Sequence, residues 1–372
     1  LPLLKIGAWR KSLGDDCQIF NDRLPKAGEF DEIWITTTFT YDIPHALGIL
    51  KAAKERASKV IVGGISATLL PDLFRKESVE VYSGLLPDAE KFSPDYSLLG
   101  EKPKYSISHT SRGCLRNCGF CMVNKLEPKF ENRTNWEKDI ALGVDKVLFY
   151  DNNWLAKKRV DLKRDIVKLH KLIKSGKIKR IDFNQGLDAR LMTEEIADLL
   201  KGLPIYLVRF AFDNMQEDGY YQRAVWMLVK RGFKEFMTYA LYNYKDTPED
   251  FYYRLRETVR LNMEMKTSVS TFPMRYQPIL NIDPKRIYVG EKWTLQKRKG
   301  FPAIRGWHSS TKATVSPKGG GIFGSAMEEF EYWFGKDAKE FDRLLGYPKL
   351  RKLLKRKAGA LRMARARGEK II

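Results

Sequence analysis

Apolar positions along the chain fall into two alternating patterns, short β-branched and aromatic runs, and longer stretches with apolar residues at helical spacing. After an opening helix-like stretch, Leu3 to Leu13, the run Glu32 to Thr40 (EIWITTTFT) reads as a buried strand. Pro44 then opens a helix to about Ala57, with Ala46, Leu47, Leu50 and Ala53 on one side. Lys59 to Gly64 is a strand that ends in a glycine turn, followed by a helix from about Pro71 and a short strand at Val79 to Tyr82. Strand alternating with helix predicts an open parallel sheet. Ligands of such sheets bind beyond the C-terminal strand ends, which places Thr36 to Tyr41 (Thr38 among them), Gly63, Gly64, Ser66 and Gly84 at a candidate site.

From Tyr105 the alternation resumes in six regular steps. The strands are Tyr105 to Thr110, Lys146 to Asn153, Arg180 to Gly186, Ile205 to Asp213, Phe233 to Tyr242 and Thr267 to Pro273. Helices are predicted at Asp161 to Ser175, Thr193 to Lys201 and Thr247 to Leu261, and Thr193 with the acids behind it is a good helix start. Beyond Pro284 the strands stop. Lys292 to Arg305 is basic with Trp293 and Phe301, Ser316 to Gly321 (SPKGGG) reads as a flexible link, and Phe323 to Phe341 is aromatic and acidic. The stretch from Tyr347 onward is a basic helix candidate with almost no acids.

The fold class is therefore α/β in three parts. A Rossmann-like open parallel sheet spans 1–100, a second strand-helix domain 101–285, and a basic, mostly helical extension 286–372.

A length of 372 residues with 43% hydrophobic and 12% aromatic content allows two or three real cores and excludes a disordered chain. No run of about 18 apolar residues exists, and the start turns charged too soon for a secretory signal, so a cytoplasmic protein that neither spans nor sits on a membrane is expected. Residue 1 is Leu and the chain opens directly on a helix, so a short preceding piece is expected to be missing. The formal charge of +21 implies an anionic substrate or an RNA partner, or a general solubility device.

Three of the four cysteines, Cys114, Cys118 and Cys121, lie in RGCLRNCGFC, a C-x3-C-x2-C spacing delivered by the strand Tyr105 to Thr110. Three clustered thiolates are one short of a closed zinc site and one short of a fully ligated cubane, so a [4Fe-4S] cluster here would keep one iron open for chemistry. A zinc knuckle borrowing a distant histidine is the competing reading. It is disfavoured because zinc sites use paired C-x2-C arms, and the nearest histidine, His109, precedes the motif on a probable strand.

RGCLRNCGFC resembles the cluster motif of the radical S-adenosylmethionine enzymes, and the resemblance extends over roughly residues 30 to 285. It implies that the three cysteines bind three irons, that S-adenosylmethionine chelates the fourth, and that one electron cleaves it to a 5'-deoxyadenosyl radical. It also implies a partial (β/α)6 barrel made from the six strands, Phe120 against the adenine, and a one-electron reductant protein of flavodoxin or ferredoxin type. The first hundred residues resemble the cobalamin-binding domain that precedes many such barrels, with ITTTFT, VGGISAT and SPDYSLL as the matching stretches. The D-x-H-x-x-G signature that puts a histidine under cobalt is absent, which leaves cobalamin held without that ligand or a scaffold that binds none.

By the same resemblance the strand ends supply the S-adenosylmethionine site. Asp151 and Asn152, with Asn153, offer acceptors for its ammonium group; Asn184, Gln185, Asp188 and Arg190 (NQGLDAR) meet the ribose and carboxylate; Arg209 and Asp213 face the cofactor from the fourth strand. Each has a plainer reading, a capped strand end or an Asp188 to Arg190 pair, and a buried Arg209 demands a carboxylate partner or ligand. No second cysteine cluster appears, which argues against relatives that need an auxiliary cluster. The implied reaction is methyl transfer from methylcobalamin to an unactivated carbon, the alternatives being a cobalamin-free enzyme modifying RNA and a non-enzymatic metal-binding protein.

Overall fold

The computed structural model describes residues 1–21, 23–141, 143–311 and 327–368. It divides into two compact units, one of Leu1–Asn153, Lys157–Ile181 and Pro278–Ile287, the other of Trp154–Ala156, Asp182–Gln277 and Tyr288–Ile372.

The first unit opens with α1 (Pro2–Ser12), β1 (Glu32–Thr37), α2 (Ile43–Lys54), β2 (Lys59–Gly64), α3 (Ile65–Leu69), α4 (Pro71–Arg75), β3 (Glu80–Val81) and α5 (Pro87–Glu90). Its sheet has the order β1-β2-β3 with every pair parallel, Ile33 opposite Val60 and Thr37 opposite Gly64. Ile33, Val60 and Val62 from the strands bury against Ile43, Leu50 and Phe74 from the helices, which is why one strand-helix repeat follows the next here. The sequence places a turn between Gly64 and Pro71, yet a separate helix, α3, occupies it. Pro71 explains the break between α3 and α4, because the residue before a proline is driven out of the helical region, and Leu70 sits at φ −135, ψ 56.

The unit continues with β4 (Ser106–Ser108), β5 (Ser111–Arg112), α6 (Val123–Leu126), β6 (Glu131–Asn132), β7 (Lys146–Phe149) and α7 (Arg159–Lys174). Strand β8 (Arg180–Phe183) carries the chain into the second unit. The strand order is β4-β7-β8, with β4 and β7 parallel, whereas β5 and β6 form a two-residue antiparallel pair.

In the second unit come α8 (Glu194–Leu200), β9 (Val208–Ala211), α9 (Tyr220–Val229), β10 (Glu235–Tyr242), α10 (Pro248–Met265) and β11 (Ser268–Arg275), then α11 (Leu295–Thr311), α12 (Met327–Phe334), α13 (Ala338–Leu345) and α14 (Leu350–Ala366). The sheet order is β11-β10-β9, all parallel, and a lone parallel bridge joins Leu187 to Phe210. All six strands expected from Tyr105 onward are thus present, hydrogen-bonded as two groups of three.

Helix starts follow local chemistry. Thr193 Oγ1 accepts from Ile196 N at 3.3 Å, and Thr247 and Asp250 exchange two hydrogen bonds at 3.0 Å to open α10. The C-terminal extension is not an appendage. Trp293, Phe301, Phe330, Trp333, Phe334, Phe341 and Leu354 share one core with Tyr242, Phe251 and Leu255. The aromatic stretch expected at Phe323 to Phe341 is two helices, interrupted where Gly335 turns at φ +96 and Asp337 caps α13. Residues 323–326 and the SPKGGG link lie outside the described residues.

Trp333 is 1% exposed in that core. Trp333→Ala is expected to destabilise the protein by about 3–5 kcal/mol, read as a lowered urea midpoint.

Candidate cofactor site

The cysteine loop hangs from a small antiparallel clasp. Ser111 pairs with Asn132 and Arg112 with Glu131, so residues 113 to 130 leave and return at one place. Gly113 makes the turn at φ +76, where a Cβ would stand 2.2 Å from the Lys129 carbonyl oxygen, and only glycine fits. Beside it the Glu127 carboxylate accepts from Arg112 at 2.7 Å, from the Gly113 amide at 2.8 Å and from Asn152 at 2.6 Å. Arg112 also reaches Glu90 at 3.2 Å, and buried Lys5 reaches Glu90 at 2.8 Å. Burial pushes Glu90 up, but Arg112 and Lys5 outweigh it and hold its carboxyl below the ordinary range. Helices α1 and α5 are thereby tied to the base of the cysteine loop.

Within the loop, Asn124 of α6 donates to the Arg116 carbonyl at 2.8 Å and to Asn117 at 3.0 Å, and Cys121 N donates to Cys118 O at 2.9 Å. None of the three loop cysteines is in a disulfide, and Cys114 and Cys118 are half-buried while Cys121 is exposed. Cys114 Sγ accepts from Arg116 N at 3.3 Å and from Asn153 Nδ2 at 3.6 Å. Donors to sulfur are what a metal-bound thiolate takes, so the donor set suits a cluster. Among the described residues no three His, Cys, Asp or Glu side chains already converge as a metal site. The preceding His109 is half-buried, its pKa driven well below the ordinary value by burial first and then by Arg112, Lys5 and Arg133.

Asp151, expected to receive an ammonium group, has another occupation. It is fully buried and accepts from Thr110 N at 3.0 Å, Thr110 Oγ1 at 2.7 Å and Ser111 Oγ at 2.6 Å, with Lys157 at 3.8 Å. Burial raises its pKa, opposed by Lys157 and these donors. Lys157 also pairs with Asp165 at 2.5 Å, and Asp165 accepts from Trp136 at 3.1 Å. Asp151 therefore fixes the two residues that deliver the loop. Its neighbours face the loop itself, Asn152 through Glu127 and Asn153 through Cys114. Phe120 is half-buried.

In the same unit lies the glycine turn after β2. Gly64 has φ +95, and a Cβ there would meet the Thr37 carbonyl oxygen at 2.4 Å. Thr37 Oγ1 donates to Gly63 O at 2.9 Å and accepts from Ala67 N at 3.2 Å, which locks the turn to the end of β1. Thr38 is exposed, and the rings of Phe39 and Tyr41 stack at 5.1 Å. Helix α3, which starts at this turn, packs on α6 of the cysteine loop. Each carries a buried polar atom with no hydrogen-bond partner among the described residues, Ser66 Oγ and Asn124 Oδ1.

The remaining candidates belong to the second unit. Asn184 is partly exposed, its backbone oxygen taken by Tyr239 at 2.8 Å, and Gln185 is exposed. Asp188 accepts from Arg190 Nε at 2.8 Å and Arg190 N at 3.2 Å, and Arg190 lies 3.5 Å from Glu217. Arg209 has the carboxylate its position demands, Asp182 at 2.8 and 3.0 Å. Asp213 is buried, accepting from Leu241 N at 2.9 Å, while its own amide donates to Glu217 at 2.6 Å. Burial, then the nearby Glu217, raise Asp213 to about 7. Glu127, Glu217 and the clasp were not foreseen from sequence. Nothing in a lone glutamate six residues past a cysteine marks it.

The fold these elements make is mixed α/β with parallel sheets. It is similar to the radical S-adenosylmethionine methyltransferase TsrM from Kitasatospora setae, solved with cobalamin and a [4Fe-4S] cluster bound, at a TM-score of 0.56 and 13% identity over 77% of this chain and 74% of that one. Coproporphyrinogen III oxidase (HemN) from Escherichia coli, a radical SAM enzyme, aligns at a TM-score of 0.35 and 14% identity over 50% of this chain and 47% of its own, too weakly to carry weight. No protein-family model and no curated protein sequence matches the chain. Among the described residues no helix is long and apolar enough to cross a membrane.

Two outcomes follow. Glu127→Ala frees Arg112, the Gly113 amide and Asn152 at once, so iron retained after anaerobic reconstitution should fall severalfold while the far-ultraviolet circular dichroism stays unchanged; equal iron uptake would contradict the clasp. Asp213 is protonated in the folded chain and ionised in the unfolded one between its ordinary carboxyl range and about 7, so it subtracts stability as pH rises through that window. Asp213→Asn keeps the acceptor for Leu241, and should raise the urea midpoint relative to the parent at pH 8 more than at pH 5.

Proposed function

We propose that this chain is a radical S-adenosylmethionine enzyme that transfers a methyl group to an unactivated carbon, holding a [4Fe-4S] cluster on Cys114, Cys118 and Cys121 and cobalamin at the C-terminal rim of the first sheet. The observation that carries the reading is the packing of α3, from the glycine turn, on α6, from the cysteine loop, within one compact unit. Ser66 Oγ of α3 and Asn124 Oδ1 of α6, buried without hydrogen-bond partners among the described residues, are polar atoms that a bound cofactor's amides or hydroxyls would satisfy. The fold likeness to a methyltransferase solved with both cofactors supports it.

When bound, the cluster with S-adenosylmethionine supplies a 5'-deoxyadenosyl radical for hydrogen abstraction, and methylcobalamin supplies the methyl group. The chain's own part is to bind and orient. The Arg116 amide and Asn153 stabilise the Cys114 thiolate, Glu127 holds the loop base, and Phe120 offers a half-buried ring beside Cys121. Gly64 keeps side-chain bulk off the turn, so a large flat cofactor can approach the backbone at Gly63 and Gly64, with Thr38 exposed and the Phe39 and Tyr41 rings as an apolar wall. The electron comes from a flavodoxin or ferredoxin type of reductant protein.

The test is product analysis after anaerobic reconstitution with iron, sulfide and hydroxocobalamin, then S-adenosylmethionine and dithionite. Formation of 5'-deoxyadenosine together with cobalamin-dependent S-adenosylhomocysteine is expected. Deoxyadenosine alone would leave a radical enzyme whose first sheet is a scaffold; neither product, with zinc bound, would overturn the reading.

A further inference from the structure

Between residues 343 and 368 the chain carries ten Lys and Arg and no Asp or Glu. Most of this stretch is α14. One side of the helix is committed to the core of the second unit through Leu350, Leu354, Ala358, Leu361 and Ala364. A membrane-surface helix needs its apolar side free to enter the lipid, and here that side is occupied. What remains outward is charge.

The outward side presents Arg351, Lys352, Lys355, Arg356 and Arg362, all exposed. At 3.6 residues per turn Arg351, Lys355 and Arg362 form one row, with Lys352 and Arg356 beside it. None of the five enters an ion pair among the described residues. Two half-buried cations of the same unit, by contrast, are paired: Arg260 lies between Glu257 at 2.7 Å and Glu264 at 2.6 Å, and Lys297 reaches Asp342 at 2.5 Å. The positions between the cations are Ala360, Met363 and Ala366, without the amides or hydroxyls that read base edges. Such a face grips phosphates and ignores sequence.

We propose that the outward face of α14 binds the phosphate backbone of an unpaired RNA strand. A helix of 17 residues is about 25 Å long, enough to run alongside several successive phosphates. A duplex backbone winds away from a straight row, whereas a loop or single-stranded run can follow it, and such runs are the ordinary targets on RNA. This grip stands apart from the cofactor reading, and its test needs neither cluster nor cobalamin.

The experiment is fluorescence anisotropy of a labelled mixed-sequence RNA 20-mer against the full chain from 50 to 300 mM salt. Five phosphate contacts predict a slope of log affinity on log salt of about −3.5 from this face, at about 0.7 per contact on a single strand. Arg351→Gln/Lys355→Gln/Arg362→Gln should flatten that slope by about 2 and weaken binding at 100 mM salt at least tenfold. Arg351→Glu/Lys355→Glu/Arg362→Glu should weaken it further, with circular dichroism as the check on folding. Parental affinity and slope in a folded glutamine variant would overturn the proposal. So would binding to anionic phospholipid vesicles that the RNA does not compete away.

Discussion

Everything in the first unit that bears on chemistry hangs on the Glu127 carboxylate and the cations around it. A loop of eighteen residues carrying three cysteines outside any disulfide loses much conformational entropy on ordering. Glu127 gathers Arg112, the Gly113 amide and Asn152 at its base, and charge-assisted hydrogen bonds of this kind contribute about 1.5–3 kcal/mol each. Through Arg112 and Glu90 the same network extends to Lys5, so the first helix and the loop are coupled electrostatically. Asp151 does the corresponding work from below, holding Thr110 and Ser111 in place.

The second unit solves a different problem. Its sheet and helices bury Arg254, whose guanidinium donates to the Phe212 carbonyl at 2.9 Å, the Leu241 carbonyl at 2.8 Å and Asp246 at 2.8 Å. A buried cation is tolerable because each donor has an acceptor at a strand end. Around it the aromatic residues of α11 to α13 close over α10, which converts the strand-poor C-terminal stretch into part of the core.

Strands and helices were legible because hydrophobic periodicity is local: β2, β7, β9 and α7 lie within a few residues of the sequence-derived bounds. The cysteine triplet was legible because three thiols in eight residues have few structural uses. The separate α3 was hidden by the glycine turn before it and by Pro71, which ends it after five residues and opens α4. Asp151 reads as a ligand from its strand-end place, and its hydrogen bonds to the hydroxyls of Thr110 and Ser111, forty residues earlier, could not be read from spacing. Glu127 was invisible for the same reason, since its partners are brought together by the clasp and not by spacing.

The central claim is that the loop of Cys114, Cys118 and Cys121 holds a cluster with one iron open to S-adenosylmethionine. The direct measurement is metal content together with electron paramagnetic resonance of the reduced, reconstituted chain before and after adding S-adenosylmethionine. About four irons per chain and a [4Fe-4S] signal that changes on that addition are predicted, both lost when the three cysteines are replaced by alanine. Zinc in place of iron, or a cluster signal indifferent to S-adenosylmethionine, would contradict the account.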